Sequence, residues 1–193
     1  MTNLYLASRS PRRSELLHFM GLRFSLVDGE VDESARSAET APNYVTRLAL
    51  AKADAGARGL GTQATVLGAD TIVVLDEQLL GKPRDLDEAA AMLARLAGRD
   101  HQVMTAVALV RGSQRECALS MSTVSFRDLS AAAIAAYCDS REPLGKAGAY
   151  AIQGQGMRFV ERLQENYSDV MGLPIAETRR LLASVNWDWD DSR

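Results

Sequence analysis

The chain has 193 residues, 47% of them apolar and 24% charged, and a net charge of −3; that length can bury a core without staples, and the balance is that of an ordinary soluble globular protein. The slightly acidic total excludes a broad nucleic-acid-binding face, so any basic site has to be local. Cys117 and Cys138 stand at no metal-like or redox-like spacing and His18 and His101 lie far apart, which speaks against a histidine metal site and for a reducing compartment. With no signal-peptide pattern and no apolar run near the roughly 18 residues of a membrane span, the expectation is a cytoplasmic protein without a membrane partner.

Leu4 to Ala7 reads as a short buried strand, followed by the loop Ser8 to Ser10. Ser10 is placed as an N-cap and Pro11 as the first helical residue; Leu16, Leu17 and Met20 share a helical face, and Gly21 ends the helix. Arg12 and Arg13 stand in the first turn, where the positive end of the helix dipole favours acids instead. Cations beside free backbone N–H groups suggest a seat for an anion, at the carboxyl end of a strand where open α/β sheets bind ligands. A plain turn with surface arginines is the alternative.

Arg23 to Val27 reads as a second strand, and an acidic loop with Asp28, Glu30, Asp32 and Glu33 follows. Pro42 opens a helix running to about Gly59, with Lys52 in its second half. Thr65 to Leu75 is a strong strand pattern containing Asp70, a carboxylate in an apolar run that has to be paired, metal-bound or beside a cleft. Asp76-Glu77 turns the chain toward Gln78 to Leu80, and Gly81-Lys82-Pro83 follows. Asp85 caps a helix from Leu86 to Leu96, with Glu88 three residues on. His101 to Val110 and Cys117 to Phe126 are two strands joined near Gly112, and Ser130 caps a helix from Ala131 to Asp139. The glycine-rich stretch Gly145 to Gly156 marks tight turns, with short strands expected near Ala149 to Ile152 and Arg158 to Val160. A last helix, Ile175 to Ala183, follows Pro174, and an acidic tail runs from Asn186 to Arg193. The expected fold class is α/β: a mixed twisted sheet with flanking helices, in one domain over residues 1–193 with two lobes and a central cleft.

Taken singly, Lys52, Lys82 and Glu33 read as solvated charges, whereas for Asp70, on a strand thinned by Gly68 and Ala69, a functional carboxylate is favoured over a structural one. Taken together they are equipment for hydrolysing a phosphoanhydride. Two carboxylates suit a divalent cation that keeps several waters, cations neutralise phosphate oxygens, and a carboxylate can accept a proton from water. No Walker-type loop or serine–histidine elbow is present.

Ser8-Arg9-Ser10-Pro11-Arg12-Arg13, Gly68-Ala69-Asp70-Thr71, Gly81-Lys82-Pro83 and Lys146-Ala147-Gly148-Ala149-Tyr150, in that order and spacing, resemble the motifs of the Maf-like nucleoside triphosphate pyrophosphatases from about Leu4 to about Leu182. The resemblance implies a fold similar to the inosine-triphosphate pyrophosphatase group. It also implies hydrolysis of a nucleoside triphosphate to the monophosphate and pyrophosphate, a divalent metal (Mg²⁺ or Mn²⁺) on Glu33 and Asp70, a homodimer, nucleotide-pool cleaning and a link to arrest of cell division. Asp70 corresponds to the family's catalytic base, and Glu33, Lys52 and Lys82 to its other polar active-site positions. Ser8, Ser10 and Arg13 match the phosphate-binding stretch. Arg12, Thr71 and the Ile152-Gln153-Gly154 run resemble the dTTP/UTP branch, at positions tied to substrate choice. The amide of Gln153 can meet the uracil or thymine edge with two hydrogen bonds; rotated, it suits cytosine, so CTP stays open. Gly145 stands where many relatives carry an acid, and Glu142 is the nearest substitute for that carboxylate. The rival readings are a nucleotide-binding regulator without catalysis and the sister branch acting on methylated GTP.

Overall fold

The computed structural model describes residues 3–189, so residues 190–193 of the expected acidic tail lie outside it. A seven-stranded sheet runs in the order β2-β1-β3-β5-β6-β7, with β4 paired to β3. The chain divides into two compact units. One takes the stretch up to Asp70, Thr105–Ser120 and the stretch from Gly172 on; the other takes Thr71–Met104 and Met121–Met171.

The first unit begins with β1 (Leu4–Ala7), α1 (Pro11–Phe19) and β2 (Ser25–Leu26). β1 pairs in parallel with both β2 and β3 (Thr65–Leu75). Leu4 and Leu6 are fully buried, as a strand covered on both faces requires. α2 (Ala41–Ala57) lies against β1 and β3, with Val45, Leu48, Ala49 and Ala53 in the core. It approaches β3 closely at Gly68, where a Cβ would run into the Ala49 carbonyl and the Ala53 amide nitrogen. The last helix of this unit is Ile175–Ser184.

The second unit holds β4 (Gln78–Leu80), antiparallel to the end of β3, and α3 (Leu86–Leu96). The Asp85 side chain accepts from the Glu88 amide at 2.8 Å, and the Glu88 carboxylate reaches back to the Arg84 amide at 2.7 Å. The strands β5 (Asp100–Arg111) and β6 (Gln114–Phe126) begin or end in this unit, and β7 (Val160–Gln164) is antiparallel to β6. α4 (Ala131–Asp139) is capped by Ser130, whose hydroxyl accepts from the Ala133 amide. His101, Phe126, Tyr137, Tyr150 and Phe159 pack edge-on into a buried aromatic cluster.

Several expectations are corrected. The strand expected at Ala149 to Ile152 is a 3₁₀ turn over Ala147–Ala149 and further turns. Gly148 and Ala149 sit at φ of +66° and +60°, and left-handed backbone does not pair in a ladder. The strand expected at Arg158 to Val160 starts only at Val160, after a 3₁₀ turn over Gln155–Phe159. The second strand shrinks to Ser25–Leu26, both residues exposed at the sheet edge. A short helix α5 (Tyr167–Met171), for which the sequence pattern offered no sign, precedes the last helix, α6 (Ile175–Ser184). Ser10 occupies the N-cap position of α1, but its side chain makes no capping bond.

Candidate active site

The β1–α1 loop is built around the Ser8 hydroxyl. That oxygen accepts the Ser10 amide at 3.2 Å and a terminal guanidinium nitrogen of Arg13 at 3.0 Å. Arg13 Nε donates to the Gly172 carbonyl at 2.8 Å. The guanidinium is thereby held from both sides while α1's first turn contains no acid. Burial lowers the Arg13 pKa, while the negative charges of Asp70 and Glu33 raise it. Arg12, half-buried beside it, is also lowered by desolvation, with Glu15 acting in the opposite sense. Arg9 points elsewhere: it pairs with Asp28 at 3.3 Å and Glu30 at 3.1 Å on the exposed acidic loop.

Three charged residues that are far apart in sequence meet at one nitrogen. Lys52 Nζ donates to Asp70 Oδ1 at 2.6 Å and to Glu33 Oε1 at 2.7 Å. Lys52 and Asp70 are buried, whereas the Glu33 side chain is 42% exposed. Local sequence explains the meeting. Gly68 lets α2 sit directly on β3, and Lys52, between Ala49 and Ala53 on that contact, is carried to Asp70 two residues further along the strand. Glu33 comes from a loop strapped to the same helix. The Tyr44 hydroxyl donates to the Glu33 carbonyl at 2.7 Å, and Arg47 donates to the Ser34 carbonyl at 3.1 Å. Arg47 also grips both oxygens of Glu39, at 2.6 and 2.7 Å.

Tyr44, Arg47, Glu39 and Gly172 were not singled out in the sequence. A signal did exist for Tyr44, which precedes Lys52 by two i,i+4 steps and so lies on the same helical stripe. Nothing local marks Gly172.

The donor set bears on a metal. Glu33 and Asp70 each give one hard oxygen to the Lys52 ammonium, so a cation would have to be met from another side of these carboxylates; among the described residues no group of three or more His, Cys, Asp or Glu could hold an ion. Two carboxylates without a third protein ligand fit a cation of the Mg²⁺ type, whose remaining positions are filled by water and phosphate oxygens.

The other three candidates belong to the second unit. Thr71 follows Asp70 on β3 and is half-buried. Lys82 is exposed on a loop anchored by the buried Pro83 and by the Gly148 amide, which donates to the Gly81 carbonyl at 3.1 Å. Gln153 is exposed at the tip of a turn. The structure thus gathers Ser8, Arg13, Glu33, Lys52 and Asp70 within the first unit, with Ser10 and Arg12 on the same loop and helix. The suggestion that Glu142 replaces the acid absent at Gly145 meets a different finding. Its carboxylate accepts from the Tyr137 hydroxyl and from the Gln155 and Gly156 amides, which makes it an anchor for that turn.

Comparison with known proteins adds to this geometry. A family model described as Maf-like protein matches residues 3–185. The dTTP/UTP pyrophosphatase of Salmonella typhimurium is 51% identical over 186 residues, covering 96% of this chain and 94% of that protein. The protein of the same name from Xanthomonas campestris pv. campestris is 53% identical, covering 94% and 97%. Among solved structures, a nucleoside-triphosphatase/dITP/XTP pyrophosphatase from Mycobacterium abscessus is similar over 94% of this chain and 97% of that one, with 16% identity and a TM-score of 0.47.

Proposed function

The chain belongs to the Maf-like protein family, and on that premise we propose that it hydrolyses dTTP and UTP to the nucleoside monophosphate and pyrophosphate. The observation that carries the reading is the convergence of Asp70 and Glu33 on the Lys52 ammonium, beside an arginine already held in place. A protein that only bound nucleotide would need the arginine and no buried carboxylate–lysine cluster. The names of the two relatives support the pyrimidine substrates.

In this mechanism Arg13 and Lys82 neutralise the phosphate oxygens, and backbone N–H groups at the start of α1 add to the anion seat. Lys52 holds Asp70 in place through its 2.6 Å hydrogen bond. Asp70 accepts a proton from water as the water oxygen bonds to the α-phosphorus; the bond from that phosphorus to the bridging oxygen breaks, and its electron pair leaves on pyrophosphate. A divalent cation held by Glu33 and Asp70 would supply charge neutralisation for the triphosphate. Arg12, Thr71 and Gln153 choose the nucleotide, with the Gln153 amide matched to the pyrimidine edge. The same reading takes the whole chain as one functional domain, acting as a homodimer in the cytoplasm. No helix among the described residues is long and apolar enough to cross a membrane.

The test is pyrophosphate release from a panel of nucleoside triphosphates, with Mg²⁺, with Mn²⁺ and with chelator, for the native chain and for Asp70→Asn. The native chain should act on dTTP and UTP and lose activity on chelation. Asp70→Asn should fold and lose about 100- to 10,000-fold in kcat, the usual size of a general-base contribution. Tight binding without release by the native chain, or near-native turnover by Asp70→Asn, overturns the mechanism.

A further inference from the structure

We infer that Glu142 and Tyr137 are positioning residues for base selection: they clamp the turn from Ala151 to Gly156 that presents Gln153. The inference rests on the reading of Gln153 as the residue that meets the base.

Gln153 is exposed at the tip of this turn, outside any helix or strand. An exposed amide discriminates between bases only if its backbone is held, because a wandering donor–acceptor pair suits every base edge. The structure holds that backbone on both sides of Gln153 through one pair of side chains. On the near side the Tyr137 hydroxyl accepts from the Ala151 amide at 3.2 Å. The same hydroxyl donates to Glu142 Oε1 at 2.8 Å. On the far side Glu142 Oε2 accepts from the Gln155 amide at 3.1 Å, and Oε1 accepts from the Gly156 amide, also at 3.1 Å. The Ala151 carbonyl closes the loop by accepting from the Gly154 amide at 3.1 Å.

The packing is close enough to be specific. A Cβ at Gly154 would lie 2.5 Å from both carboxylate oxygens of Glu142, and one at Gly156 would lie 2.9 Å from the Tyr137 hydroxyl. Tyr137 is itself fully buried on α4 and meets Phe159 edge-on. The chain of contacts therefore runs from the aromatic core of the second unit, through one hydroxyl and one carboxylate, to the backbone flanking Gln153. Burial pushes the Glu142 carboxyl up, but its hydrogen bonds from Gln155, Tyr137 and Gly156 outweigh that and leave it lowered, so it stays an acceptor at neutral pH. No atom of either residue has to touch the nucleotide for the clamp to work.

The experiment compares kcat and KM for dTTP, UTP, CTP and GTP in Glu142→Gln, Tyr137→Phe, Gly154→Ala and Gln153→Ala, together with the double variant Glu142→Gln/Gln153→Ala. Gly154→Ala displaces the carboxylate without removing it, and Tyr137→Phe keeps the buried ring, so neither depends on a large loss of packing. Loss of the clamp should raise KM for dTTP about tenfold, the size expected from one or two broken hydrogen bonds, with a smaller change in kcat. Preference for dTTP over GTP should fall by a similar factor. Once Gln153 is alanine, Glu142→Gln should cost no further discrimination. Thermal melting of each variant reports folding separately. If Gln153→Ala erodes discrimination but the clamp variants, folded, leave it unchanged, the clamp is wrong. If Gln153→Ala itself changes nothing, the reading of Gln153 is wrong. Additive losses in the double variant would mean that Glu142 acts elsewhere, which also overturns the inference.

Discussion

Lys52 is the residue on which the site turns. One ammonium serves two carboxylates at 2.6 and 2.7 Å, so replacing it with an isosteric apolar side chain removes the cation that Asp70 and Glu33 share. Lys52→Met should lose about 2 kcal/mol of stability, below the usual cost of breaking a buried pair because Glu33 is partly solvated. Its more telling effect is on turnover: kcat should fall, because Asp70 loses the group that holds it in place. A folded Lys52→Met protein with native kcat would mean that the lysine is only structural. Asp70→Asn is the complementary change, since Lys52 keeps Glu33 as a partner.

At the scale of elements, the contact between α2 and β3 decides whether Lys52 can reach Asp70. Gly68 makes that contact possible, because any side chain there meets helix backbone, which cannot swing aside. Gly68→Ala should destabilise the fold by about 1–3 kcal/mol through overpacking and also reduce turnover, because lifting α2 draws Lys52 from Asp70. Denaturant unfolding and steady-state rates measured on the same preparation check both. Native-like values for both would show that the helix has slack at this point. The acidic loop depends on the same helix. Arg47 and Tyr44 tie it down, so α2 supplies the Lys52 ammonium and also the supports for the Glu33 carboxylate's loop.

Across the whole molecule, His101 and Glu39 contribute to the response to acid in separate pH windows. Burial in the aromatic cluster lowers the His101 pKa from 6.5 to about 4. Below pH 6.5 the unfolded chain takes up that proton and the folded chain does not, so stability falls between pH 6.5 and 4, by roughly 3 kcal/mol for a shift of this size. Glu39, held by Arg47, is lowered from 4.5 to about 2. Its contribution is present above pH 4.5 and is lost as the pH falls from there toward 2. Unfolding free energies measured from pH 8 to 3 should show both limbs. His101→Phe should flatten the upper limb and Arg47→Met the lower one, whatever their absolute stabilities; retention of the upper slope in His101→Phe would assign it to another group.

Much of this molecule can be read from local pattern alone. The strand Thr65–Leu75, the capped helices Leu86–Leu96 and Ala131–Asp139, and the loop between Ala7 and Pro11 follow from apolar spacing, capping residues and turn chemistry, which act over a few neighbours. The candidates Glu33, Lys52 and Asp70 are also visible there, as residue types suited to phosphoanhydride chemistry, but each one alone is an ordinary charge. Their meeting at a single nitrogen is a property of packing, created by a glycine that brings a helix onto a strand. The same holds for Glu142, whose partners lie as far as 14 residues away. It holds too for the turn that replaced the strand expected at Ala149 to Ile152, where left-handed backbone at Gly148 and Ala149 overrode the apolar run. Local spacing reports which groups are available; which of them touch depends on how closely two backbones approach, and a chain folded in three dimensions sets that distance.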